Sequence, residues 1–297
     1  MFQIIKHKSV FLTFSAILVL ASVVGIGLFG LQRGIDFTGG SLWQVQFEDS
    51  AITQSELKNF FQEQYDLDVT IASGQKTPGN FSIKLKEINE NIHQEYSGKL
   101  QAEFGEFEEL SFQSIGASIG KELTDRALWA FAINLLAITL YVAYAFRKVS
   151  YPVSSWKYAI TTLVTLFHDA ILPIGAFAFL GHYLGVEIDT NFIVAILVVV
   201  GFSVHDTIVV FDRIRENVRR SNSKLENFDA LVNRSVNETI ARSINTSLTL
   251  IVVLVALYLF GAPSLANFIL VILIGTIAGT YSSIFVASPM LTVWGKK

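Results

Sequence analysis

Few ionisable residues interrupt the apolar runs of this sequence, and most of those that do come in pairs. His168-Asp169 and His205-Asp206 each lie inside such a run, and Arg242 leads into another. An acid beside an imidazole, with a guanidinium in reach, is a set of groups that can bind, pass or hold a proton. An ionised acid at the centre of a bilayer costs about 2.5–3.5 kcal/mol on insertion scales, so such groups face a bundle interior and find partners. At about 1.5 Å of rise per residue, Asp206 lies roughly 21 Å down from Phe192 and Arg242 roughly 27 Å down from Phe260. The difference of about 6 Å is within the span of an extended arginine side chain. Asp169 falls about 16 Å down from Leu180, so all three meet if their helices face each other.

Arg242, Asn245, Thr246 and Thr249 recur at i, i+3, i+4 and i+7. That is one helical face, expected to point inward and able to carry a water wire beside the arginine. Two readings stand for these groups. In one, an Asp–Arg pair and a few hydrogen bonds only fix helix packing. In the other, Asp206 carries a proton, and movement of Arg242 by one turn switches its affinity. His168 and His205 point about 100° away from their neighbouring acids on a helix. They are read as packing residues, with a proton relay as the alternative.

The elements that must position these groups follow from composition. Of 297 residues, 52 % are hydrophobic and 16 % charged, with mean hydropathy +0.49. Soluble domains carry about 25 % charged residues. Windows of about 20 apolar residues, enough to cross a hydrocarbon core, occur at Val10–Leu31, Leu128–Phe146, Ala159–Leu180, Phe192–Phe211, Ser243–Phe260 and Leu265–Val286. Lys6 and Lys8, then Arg147, Lys148 and Lys157, then Arg213, Arg215, Arg219, Arg220, Lys224 and Arg234, and finally Lys296-Lys297 fall on one side of six crossings. The positive-inside rule makes that side, with both termini, cytoplasmic. Lys6 and Lys8 ahead of an apolar run, with Ala21 as a small-residue site, raise a cleaved leader. The run continues to Leu31 and cleavage would upset the alternation of basic loops, so an uncleaved signal-anchor is expected. The chain has no cysteine, so no disulfide braces the outer segment. The connection Asp212–Ala241 carries Leu225, Phe228, Leu231, Val232 and Val236 at helical spacing beside Arg219, Arg220 and Arg234. It is expected to form an amphipathic helix on the membrane surface or against another subunit.

Residues 32–126 have the composition of a small soluble domain, with sixteen acids against eight basic residues. Period-two alternation makes Ser41–Phe47 a strand. Thr53 with Glu56 three residues later has capping-box spacing, so Thr53–Tyr65 is a helix. Asp68–Ser73 and Asn80–Glu87 are strands joined by a turn at Gly74–Gly79, Asn89–Gly105 is a helix and Glu109–Gly116 a last strand. The order β-α-β-β-α-β is the ferredoxin-like split motif; with both helices on one face, the other face of the sheet is free for a partner. His93 is expected on the solvated surface, and Glu103, Glu106, Glu108 and Glu109 on a solvated face. Their spacing fits no metal site. Gly39-Gly40 is no phosphate loop, since no Lys-Ser/Thr follows. No cofactor, metal, enzymatic activity or nucleic acid is expected. The fold class is a polytopic α-helical membrane protein of six transmembrane helices, with one α+β ferredoxin-like extracytoplasmic domain between helices 1 and 2. The divisions are 1–31, 32–126 and 127–297, the last with a cytoplasmic loop at 212–241.

Four stretches carry a family resemblance: GIDFTGG (Gly34–Gly40), GASIGKELTDRALWA (Gly116–Ala130), GFSVHDTIVVFDRIREN (Gly201–Asn217) and SVNETIARSINTSLT (Ser235–Thr249). In this order, relative to six spans and one outer domain, they resemble the SecF family of bacterial protein-export membrane proteins. The resemblance implies half of a unit of the RND superfamily, six spans from this chain and six from SecD. It implies residence in the bacterial cytoplasmic (inner) membrane and association with SecYEG, with YajC as an accessory. The implied work is use of the proton-motive force, after the SecA ATPase step, to finish export of an unfolded polypeptide. It also implies that Asp206 is the functional acid, Arg242 its basic partner and Asp169 part of a third-span His-Asp pair. His205 departs from the usual asparagine at its position. Gly34, Asp36, Gly39 and Gly40 on one side, and Gly116 and Gly120 on the other, flank the outer domain as signature residues, and their glycines are expected to act as hinges. Half of a small-molecule or lipid exporter, and a non-transporting scaffold in which Asp206 and Arg242 merely pack, are the alternatives.

Overall fold

Six helices are long and apolar enough to cross a membrane, and a small sheet interrupts their succession after the first. The computed structural model describes residues 2–49, 51–73, 79–147, 153–220 and 227–295. In chain order, a short 3₁₀ turn leads into α1 (Lys8–Phe29). A single helical turn, α2 (Ile35–Thr38), precedes β1 (Gly40–Phe47), α3 (Gln54–Tyr65), β2 (Thr70–Ser73), β3 (Asn80–Leu85), α4 (Glu90–Phe104) and β4 (Phe107–Ile115). The remaining spans are α5 (Ala117–Ala145), α6 (Ser155–Leu184), α7 (Thr190–Arg220), α8 (Phe228–Phe260) and α9 (Ala266–Ser282). The last continues through a π turn (Ser283–Ala287) into α10 (Ser288–Trp294). Two compact units result, Met1–Gln32 with Leu128–Lys297, and Arg33–Ala127.

In the membrane unit the third, fourth and sixth spans are the inner ones, 50, 44 and 61 % buried, against 17 % for the first and fifth and 6 % for the second. Small residues set the closest approaches. A side chain on Gly175 of α6 would meet the Ser22 backbone of α1, and one on Gly275 of α9 would meet Val199 of α7. Pro173 stands inside α6. With no N–H to give, it leaves the Asp169 carbonyl without its helical donor. Pro289 does the same one turn beyond Phe285, and the preceding turn widens to π geometry, with the Ser288 hydroxyl donating to the Ser283 carbonyl at 3.0 Å.

The helices run further than the apolar windows. α7 continues to Arg220 and α8 begins at Phe228, so most of the segment 212–241 is helix rising into the bundle rather than a surface loop. Leu231, Val232 and Val236 are buried against Phe211, Ile284 and Leu291, because α8 packs its apolar face on its own bundle. Arg213 and Glu238 tie α7 to α8 at 2.6 Å, and Lys8 reaches Asp229 at 2.7 Å. Lys148, Lys224, Leu225, Lys296 and Lys297, and the turn at 74–78, lie outside the described residues.

The second unit is a four-stranded antiparallel sheet in the order β2-β3-β1-β4, the ferredoxin-like arrangement. Trp43, Val45 and Phe47 of β1 point to one face and bury against Leu57 and Phe61 of α3 and Leu100 of α4. The opposite face carries Gln44, Gln46, Ser82 and Lys84. Thr53 caps α3 with both bonds of the capping box in place. Thr53→Ala should therefore cost about 1 kcal/mol, readable as a lowered unfolding midpoint of this unit; an unchanged midpoint would show that the cap contributes nothing.

His93 corrects the surface expectation. It is 2 % exposed, stacked on Phe112 at 3.8 Å between centroids and edge-on to Trp43 at 4.8 Å. Its Nε2 lies 2.9 Å from Glu109 Oε2, the same oxygen that accepts from Trp43 Nε1 at 2.9 Å. Glu109 is exposed, as expected, and also partners two buried rings. The sequence pattern of α4 could not reveal this, because β4 supplies the aromatic wall. Near it, the Gln94 amide does most to hold the Glu90 carboxyl below its ordinary range, with His93 adding to it.

Candidate functional site

The inner faces of α6, α7, α8 and α9 meet around the two buried acids. Asp206 is 2 % exposed, on the α7 face that also buries Ser203, Thr207 and Val210. Its Oδ2 accepts a hydrogen bond from Ser247 Oγ of α8 at 3.3 Å. Ser247 in turn accepts from Thr280 Oγ1 of α9 at 2.6 Å. Asp169 is fully buried on α6. Its Oδ2 accepts from Ser203 of α7 and from Ser282 of α9, the latter at 2.6 Å, and its Oδ1 lies 2.8 Å from His168 Nδ1. The sixth span therefore touches both sites through residues two apart, Ser282 directly and Thr280 through Ser247.

These bonds correct three expectations. His168 does not turn away from Asp169. A hydrogen bond joins the two side chains, because the ring folds back over the short distance between consecutive residues. Asp169 does not meet Arg242, which lies on the exposed side of α8; hydroxyls from α7 and α9 occupy it. The stripe Arg242, Asn245, Thr246 and Thr249 is exposed, together with His205, and faces away from this chain's own helices. The inward face of α8 is instead Thr239, Ser243 and Ser247, at successive intervals of four. One residue of rotation, 100°, separates Ser243 from Arg242. The small serines let α8 approach α7 and α9, and that packing fixes the rotation. Among the described residues Arg242 makes no ion pair.

The two acids differ in what holds them. Asp169 has three neighbours that can donate and stands in a completed site. Asp206 has one hydroxyl at 3.3 Å, which leaves acceptor capacity for a proton or for a donor from elsewhere. Ser203, Ser247, Thr280 and Ser282 were not singled out from the sequence. Their signal was the recurrence of hydroxyls at intervals of four in otherwise apolar spans, at 243 and 247 and at 276 and 280.

At the signature glycines, Gly39 and Gly40 have φ of +74° and +123°, conformations that favour glycine. A side chain on Gly39 would collide with the backbone of Ala117, and one on Gly120 would crowd Phe37, so the segments 34–40 and 116–120 lie in close backbone contact.

Residues 96–297 match the profile of the SecD/SecF protein export membrane protein C-terminal family, and residues 24–51 that of the SecD/SecF GG motif. The protein translocase subunit SecF of Thermobaculum terrenum is 42 % identical, over 100 % of this chain and 95 % of its own length. That of Sebaldella termitidis is 35 % identical, over 97 % and 90 %. The crystal structure of SecDF from Thermus, described as a translocon-associated membrane protein, is 29 % identical and superposes with a TM-score of 0.84. It covers 99 % of this chain, which spans 38 % of that longer SecDF chain. By sequence over its whole length and by fold, the chain belongs to the SecD/SecF family of protein export membrane proteins.

Proposed function

We propose that this chain is a SecF-type subunit that uses the proton-motive force to assist and complete protein translocation across the bacterial cytoplasmic membrane. In this reading it pairs with SecD and acts on unfolded polypeptide emerging from SecYEG after the SecA step, with YajC as an accessory. Both termini are cytoplasmic and the unit 33–127 is extracytoplasmic, as the basic connections require. The observation that carries the reading is Asp206, an acid buried at membrane depth with, among the described residues, a single 3.3 Å hydroxyl partner. Proton binding there changes the charge of the bundle interior, and one proton crossing 100 mV supplies about 2.3 kcal/mol, comparable with the gap between two conformations.

Assembly with SecD accounts for the exposed stripe. Arg242, Asn245, Thr246, Thr249 and His205 would face lipid in the isolated chain, and an arginine there costs about 2.5–3.5 kcal/mol. Six spans of SecD laid over this face would cover it and place Arg242 at the boundary, where movement of one half against the other changes its distance to Asp206. The joints at Gly34–Gly40 and Gly116–Gly120 would carry that movement outward. Loss of gradient-dependent export in vesicles carrying Asp206→Asn, with the complex intact, tests the reading. A second expected result concerns assembly. The chain has no cysteine of its own, so Thr249→Cys gives one reactive site, and a reagent with one thiol-reactive and one photoactivated end attached there should link to SecD in membranes holding both proteins. Val255→Cys, exposed on the same helix but about 120° around from Thr249, should link less; equal yields would contradict the proposed interface.

A further inference from the structure

One face of the third span is polar from its first turn to the middle of the membrane. Tyr158, Thr161, Thr165, His168 and Asp169 are each no more than 4 % exposed. At 100° per residue they fall within a sector of about 100°. Three of their polar atoms, Tyr158 Oη, Thr161 Oγ1 and His168 Nε2, are buried with no hydrogen-bond partner among the described residues. The Thr165 hydroxyl gives its proton to the Thr161 carbonyl at 2.7 Å and so presents lone pairs to its surroundings. Pro173 frees the Asp169 carbonyl at the top of the column. Unpaired polar atoms are rare in native interiors, and internal water is what ordinarily satisfies them. A row of them on one helix face, ending at a His-Asp pair, is more than scattered packing requires.

The geometry points to a water-filled proton path along the third span, from Tyr158 near its basic-loop end to the His168-Asp169 pair and on to Asp206, with His168 as the relay. It rests on the proposed role of Asp206 and adds the route by which the proton leaves. Past Asp169 the route continues through Ser203, which donates to Asp169 and lies one turn from Asp206 on the same face of α7. Thr207, Ser243 and Thr276 carry further unpartnered buried hydroxyls on the helices around Asp206. The transfer balances. A proton released by Asp206 passes through water and the Ser203 hydroxyl, which gives up one proton as it takes another, to Asp169. His168 then takes it at Nδ1 and releases a different proton from Nε2 to the water file beside Thr161 and Tyr158. The ring ends with its original charge and the opposite tautomer, which rotation or a second transfer restores. Tyr281 of α9 packs beside the imidazole at 6.4 Å, and among the described residues no lysine or arginine pairs with Asp169.

The test uses the full chain with SecD in proteoliposomes of mixed zwitterionic and anionic phospholipid, and a pH dye inside to follow decay of an imposed proton gradient. Tyr158→Phe combined with Thr161→Val removes two hydroxyls at nearly constant volume and should slow the decay by about tenfold. Thr161→Ser, with Tyr158 intact, should stay within about twofold of the unmodified complex. An unchanged rate in the double variant, alongside arrest in Asp206→Asn, would overturn the column and leave the role of Asp206 standing. An unchanged rate in Asp206→Asn would remove both. A second readout does not depend on transport. Millisecond radiolysis, in which hydroxyl radicals arise from bound water, should label Tyr158 and His168 well above the fully buried Phe177 and Phe61. Labelling no higher than those rings would show the column dry and the inference wrong.

Discussion

Asp206→Asn is expected to reduce export to the level seen when the membrane gradient is collapsed, with the complex still assembled. The amide keeps the size of the carboxyl and still offers an oxygen to Ser247, so the 3.3 Å contact and the packing of α7 on α8 survive. The amide cannot take up or release a proton. A single proton moving through 100 mV is worth about 2.3 kcal/mol, or close to 50-fold in an equilibrium between two states. The whole gradient-dependent part of the signal should therefore disappear. Asp206→Glu keeps a titratable group but adds a methylene to a tight site, and should retain part of it. Ordinary gradient-dependent export in the Asn variant would leave the scaffold role as the better account.

Gly175→Leu should destabilise the bundle by about 3 kcal/mol, the upper part of the range for overpacking. A Cβ on Gly175 would overlap Ser22 Cβ and lie 2.6 Å from Ser22 Cα. The second of these is backbone, so no rotamer change relieves it and α1 must move off α6. The same helix pair is also joined by Phe29 stacked on His182 at 4.3 Å and by the Ile188 amide donating to the Gln32 carbonyl at 2.7 Å. Separation would strain both. Gly27→Leu, on the same α1 with nothing near the new side chain, should stay within about 0.5 kcal/mol. Thermal unfolding of the two variants in detergent compares them directly; similar midpoints would show that α1 is not seated on α6 as described.

Local signals in the sequence were sufficient wherever a short rule governs. The six spans follow from the length of apolar runs, and the outer unit from alternation, turn residues and the Thr53–Glu56 spacing, whose capping box is present. Rotation of a helix about its own axis follows no such rule. In α8 the polar stripe with Arg242 and the serine stripe with Ser247 are both inward-facing candidates, and only the fit against α7 and α9 chooses between them. The stripe that lost is the more polar one, which makes sense for half of a larger assembly. His93 shows the same limit in the outer unit: its burial depends on Phe112 and Trp43, distant in sequence. The π turn depends on Pro289 acting on the turn before it, while the hydroxyls at Asp169 come from two other helices, α7 and α9.

The backbone amides of Phe2 and Ile5 are received by Asn237 and Asn233, while Lys8 donates to Asp229 and to the Thr292 hydroxyl at 3.0 Å. Residues that precede the first span thus rest on parts of the chain that are made well after it. During biogenesis α1 enters the bilayer before α8 and α10 exist to receive these bonds. A nascent chain stalled before α10 would lack the bond from Lys8 to the Thr292 hydroxyl.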